Sequence, residues 1–143
     1  MPRIALLNII WGFLVLVIAA FMGVFNSFDL TDAFLKGSEV VPQWEQVVFS
    51  SSHGHTGFFG ILHILVGLTM PYSTLNLRFK KAQTFGLFAG CIAMGPLMTL
   101  RAKWGPESSF SPLGMAIGAC LSLAMMALII HTIGLTDKLR RRE

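Results

Sequence analysis

The sequence predicts an all-α fold, an integral membrane four-helix bundle with both termini in the cytoplasm, and three observations predict it. Of its 143 residues, 54% are hydrophobic and 13% charged, whereas soluble domains carry roughly 25% charged residues. Four apolar windows approach the roughly 20 residues needed to cross about 30 Å of hydrocarbon. The basic residues gather on alternate connections between those windows, as positive-inside topology requires. The whole of 1–143 reads as a single transmembrane domain with no room for a separate catalytic module. Any chemistry must therefore sit within the bundle or its loops.

The first window, residues 4–25, is broken only by Asn8 and Gly12. Arg3 ahead of it gives the look of a signal peptide, but the apolar run is too long for an h-region, and a retained helix is expected. The second, about 54–77, has Pro71 near its end, where proline kinks or closes a helix. The third, about 84–100, contains Pro96 together with Gly86, Gly90 and Gly95. The fourth covers 113–135, and its Gly114, Gly118 and Ser122 make a small-residue stripe suited to helix packing or a subunit contact. Cys91 and Cys120 fall inside windows and read as small apolar packing residues.

With both termini on one side, that side holds Arg3, Arg78, Lys80, Lys81, Lys138, Arg140, Arg141 and Arg142 against Asp137 and Glu143. The other side holds Lys36, Arg101 and Lys103 against Asp29, Asp32, Glu39, Glu45 and Glu107, a balance of +6 against −2. This bias orients the chain across the inner, cytoplasmic membrane. It also accounts for the pI of about 9.5 with no nucleic-acid partner. Residues 26–52 form a long outer connection. Trp44, Val47 and Val48 suggest a loop anchored among the headgroups, or a lid over the outer end of the second helix.

The stretch "SSHGHTGFFGILHILVG", residues 51–67, places three histidines in a span. Ionisable groups in hydrocarbon are costly and mark sites by default. His53 and His55 stand at the outer mouth, and His63 lies about 12 Å deeper. His53 and His55 differ by about 200° around a helix, so one alone of them faces a given ligand, whereas His55 and His63 differ by about 80° and can line one cavity. His63 also suits a second ligand, a proton relay or a histidine hydrogen-bonded to a neighbouring helix. Gly54, Gly57, Gly60 and Gly67 admit either a close helix or a flat cofactor. His131 reads as a histidine at a helix end near the headgroups.

Structural zinc wants four ligands that this mouth does not offer, and copper lacks a third nitrogen at that level. Haem needs one axial histidine, a dry slot and a cation for its propionates. His55 is the leading ligand, with His53 its rival and His63 a further one. Gly57, Phe58, Phe59, Met70, Met94 and Met98 furnish the slot, and Arg101 the cation, unless it is an anchor that snorkels. Without a Cys-x-x-Cys-His motif the group would be haem b.

Gly54-His55-Thr56-Gly57, with the spacing on to Lys80-Lys81 and Gly86, resembles the styrene oxide isomerases over roughly residues 54–90. The resemblance implies a four-helix membrane enzyme, trimeric, with b-type haem on a histidine near the start of helix two, here His55. Ile61 and Leu100 stand where that family's proposed site has asparagine and tyrosine, and Tyr72, the sole tyrosine, falls at the other membrane side. "SHGHTGFFG" is also similar to haem-copper oxidase-like proteins with His-x-His before a glycine-rich helix, which would make His53 the ligand. The expected function is haem-dependent chemistry or redox exchange in the membrane with a lipophilic small molecule, a quinone or a gas, by a homo-oligomer surrounded by membrane lipid. The alternatives are epoxide isomerisation, a cofactor-free assembly subunit, and, third, an ion or proton path through His55 and His63.

Overall fold

The computed structural model describes residues 1–37, 43–106, 108 and 110–141. Glu39, Glu107, Arg142 and Glu143, counted in the charge balance, lie outside the described residues. Helix α1 is Arg3–Leu35 and α2 is Gln43–Thr69. A 3-10 turn, Met70–Tyr72, leads to α3, Leu77–Ile92, which passes through a π-turn at Ala93–Leu97 into the short α4, Met98–Trp104; α5 is Pro112–Arg140. No strand occurs among the described residues.

Local chemistry sets the boundaries. Gly37 follows α1 at φ 58°, a left-handed position that glycine takes without a Cβ penalty. Asn76 and Ser111 begin α3 and α5, accepting from the N–H groups of Phe79 and Gly114, each at 3.1 Å, as N-cap side chains do. Pro71 lies in the turn that closes α2. The long outer connection is corrected by the structure: α1 continues to Leu35 and α2 already begins at Gln43. Asn26, Ser27, Asp29, Thr31 and Asp32 are polar, but polarity ends a membrane span without ending a helix. At 1.5 Å per residue α1 is about 50 Å long, roughly 20 Å more than the hydrocarbon.

Among the described residues, three helical stretches are long and apolar enough to cross a membrane: Arg3–Leu35, Leu77–Trp104 and Pro112–Arg140. Helix α2 is the exception, because its histidines and serines dilute it. Its neighbours shield Ser52, Thr56 and His63, all buried.

Helices α1 and α2 pack along their length, α3 packs on α5, and α2 meets the α3–α4 unit. Small residues govern the first two contacts. Ala5, Asn8, Gly12, Val15 and Ala19, at steps of three and four, are the buried side of α1. A Cβ on Gly12 would stand 2.6 Å from the Gly60 carbonyl, and one on Gly67 2.7 Å from that of Ala5. On the other side a Cβ on Gly86 would lie 2.7 Å from the Leu123 carbonyl. Two cores result. Phe59, Met94 and Ile117 belong to one, and Val66, Met70 and Leu87 to the other. At the π-turn, where Pro96 brings no N–H, Ser52 Oγ donates to the Met94 carbonyl at 2.5 Å.

Candidate functional site

The two mouth histidines part company, as their angular separation requires. His53 turns to α1, where its Nδ1 lies 2.8 Å from the Ala19 carbonyl and its ring fills the space over Gly23. His55 is exposed, with Nδ1 2.8 Å from the Ser51 carbonyl of its own helix. A carbonyl only accepts, so Nδ1 carries the proton and Nε2 keeps its lone pair. Ser51 thus fixes the tautomer of His55, as outer-shell groups do for ligating histidines. Gly54, beside it, has nothing within 4 Å of a built Cβ, and Phe58 is 54% exposed. The face carrying His55 is therefore open in the single chain.

His63 has no exposed surface, and its Nδ1 lies 2.9 Å from Asn8 Oδ1. Asn8 Nδ2 donates in turn to the Ile4 carbonyl and to Thr84 Oγ1, both at 2.8 Å. Three helices meet in this network. His63 is thus hydrogen-bonded to a neighbouring helix, one of the readings its position suggested. His131, read as a residue near a helix end, is buried against the end of α2, and its Nε2 lies 2.8 Å from Thr69 Oγ1. Helix α5 runs nine residues past it to Arg140. Thr69 spends its own proton on the Leu65 carbonyl at 2.6 Å, so His131 is the donor.

Arg101 lies over the Trp44 ring, 5.7 Å from its centroid, and Trp44 Nε1 donates to the Arg101 carbonyl at 3.3 Å. Lys103 pairs with Glu45 beside them. These contacts clamp α4 to the start of α2, and Trp44 serves there as a partner for Arg101. The expected slot residues divide: Phe59, Met70 and Met94 are core, while Gly57 faces Ala19 at 3.6 Å and belongs to the α1 contact. Ile61 and Leu100 are exposed, as is Tyr72 in the turn at the opposite end.

Asn8, Thr69 and Trp44 are the partners that reading by span did not pair with the histidines and Arg101. A polar residue in each facing span at matching depth was the signal for Asn8. Among the described residues no group of three or more His, Cys, Asp or Glu could hold a metal ion. Fold and site define a helical bundle with membrane-length helices, a buried polar network and one exposed, oriented histidine. No protein-family model matches the chain, and no curated protein or solved structure matches it.

Proposed function

We propose that the chain is a multi-pass protein of the inner membrane, with both termini cytoplasmic, that holds a b-type haem on His55 where copies of the chain meet. The observation that carries this reading is the state of His55: exposed, with Nδ1–H tied to the Ser51 carbonyl and Nε2 available. Among the three histidines of α2 it alone is neither wedged against α1 nor buried. The donor fits the group. The walls fit only in part, because one chain leaves this face open beside Gly54 and offers Phe58 on one side; a second copy supplies the rest. Arg101 would serve a propionate from its place on Trp44.

Bound through one histidine, haem b supplies an open iron position for a Lewis base or a diatomic gas, or for electron exchange with a lipophilic molecule or quinone. The Ser51 carbonyl would raise the basicity of Nε2, and Phe58 would supply one apolar wall of the face. Ile61 and Leu100 carry no hydrogen-bonding group, so this chain has no side chain there to hold an epoxide oxygen. Exchange with a lipophilic molecule is favoured over isomerisation on that ground. A cofactor-free packing subunit is the second reading, supported by the Asn8–His63–Thr84 network, which gives the Nδ1 of His63 a partner without a ligand.

The test is the optical spectrum of the detergent-purified oligomer, oxidised and reduced, after haem is supplied during expression. A Soret band that survives His53→Ala and vanishes in His55→Ala is the expected result. A colourless wild type overturns the haem reading in favour of the packing subunit, and a band lost only in His53→Ala moves the ligand.

A further inference from the structure

Where the third span bulges at Pro96, a cleft opens between it and α1, on a face of α2 other than the one that carries His55. Two adjoining cavities share Ile18, Gly95 and Pro96. The deeper, of about 230 Å³, is walled by Trp11 and Phe88, with Thr56 of α2 in its lining. The outer, of about 480 Å³, passes Met22 and Phe49 and ends at Lys103. From Trp11 to Ile18 and from Gly95 to Lys103 the two helices each advance about 10–12 Å. The cleft is therefore long and narrow, running from mid-bundle toward the outer end.

Its charge is one-sided. The Thr56 hydroxyl donates to the Ser52 carbonyl at 2.7 Å and presents no free proton to the deep part. Lys103 is the one cation among the residues that line the two cavities. Its side chain is 65% exposed and pairs with Glu45, itself 21% exposed, so a ligand's carboxylate meets Lys103 by taking the place of Glu45. Gly95, where the cavities join, has no packing reason to be glycine: a Cβ there would meet only Thr56, at 3.6 Å. A side chain at 95 would instead fill the cleft.

We infer that this cleft binds a long-chain fatty acid, the alkyl chain lying along α1 past Gly95 and the carboxylate meeting Lys103. Apolar walls with a single cation at the outer end match an amphiphile charged at one end.

The test uses the full chain in detergent with labelled hexadecanoic acid, and hexadecan-1-ol as the uncharged control. Saturable binding of the acid, tighter than the alcohol, is expected for the wild type. Gly95→Leu should weaken both by about tenfold or more, and Lys103→Gln should weaken the acid alone. Ile18→Trp closes the cleft from the α1 side and replaces Gly95→Leu if that variant does not fold, as judged by its unfolding midpoint. Wild-type affinity in the folded cleft-filling variant overturns the site, and equal binding of acid and alcohol by the wild type overturns the role of Lys103. The haem spectrum is unaffected by either result, so the two proposals fail separately.

Discussion

His63 shows how a polar group survives in the interior of this chain. Its Nδ1–H is taken by Asn8, and Asn8 is held by Ile4 and Thr84, so the network is bonded across α1, α2 and α3. Asn8→Leu removes the acceptor and leaves a buried donor, which should cost about 1–2 kcal/mol. His63→Leu alone leaves Asn8 with its two donor bonds and costs less, and the double variant should lose less than the sum of the singles. Unfolding in detergent across the four-member cycle measures the coupling; additivity would mean that the pair is not formed. The mouth histidines differ in the same assay. His53→Ala should lose about 1 kcal/mol, because its ring fills the space over Gly23, while His55→Ala should stay within about 0.5 kcal/mol. The roughly 200° between them was legible in the sequence, which is why one ligand at most was expected. Which of the two turns outward depends on where α1 lies, and no pattern within α2 encodes that.

Glycines decide how the helices pair, and they are not equivalent. Gly12 and Gly60 meet backbone to backbone, so Gly12→Ala forces α1 and α2 apart and should destabilise by about 1–3 kcal/mol. Gly118 on α5 has nothing within 4 Å of a Cβ. Gly118→Ala should therefore leave the chain's fold intact and gain up to about 1 kcal/mol of helix propensity. Thermal unfolding of the two variants checks the contrast, and a Gly118→Ala variant that keeps its midpoint but changes oligomer size on a sizing column would place the stripe of Gly114, Gly118 and Ser122 at a contact between copies. The stripe was visible in the sequence, as was the run Gly57, Gly60 and Gly67, yet the latter packs on α1 while Gly118 and Ser122 are exposed. Small-residue spacing marks a close approach without naming the partner. Pro96 was likewise legible as an interruption. The π-turn was not, and the Ser52 hydroxyl that bonds the Met94 carbonyl there comes from another helix. The outer connection was misread as a loop because apolar periodicity stops at the membrane boundary while α1 goes on.

At the scale of the molecule, the two ends of the bundle are built from different chemistry. One end joins Trp44 to Arg101 and Glu45 to Lys103, with Asp29 beside them. The other joins Thr69 to His131 and Thr74 to the Gly134 carbonyl, and bears Arg3, Arg78, Lys80, Lys81, Lys138, Arg140 and Arg141. Charge was the property most legible in the sequence, because it depends on which connection a residue occupies and not on how the helices rotate. If that asymmetry orients the chain, a cysteine placed at Arg78 or Lys138 should react with an impermeant thiol reagent only after the membrane is opened. A cysteine at Lys36 should react in intact cells. The native thiols interfere little, since Cys91 is buried and Cys120 half-buried. Replacing Arg78, Lys80 and Lys81 together with glutamine removes the three positive charges at the start of α3, and part of the population should then label in reverse. Labelling of Lys36→Cys only after opening would invert the topology and move the His55 face, with the haem proposed for it, to the cytoplasmic half of the membrane. The haem spectrum and the labelling pattern therefore test different claims about one helix: the first asks what His55 holds, the second from which side it is reached.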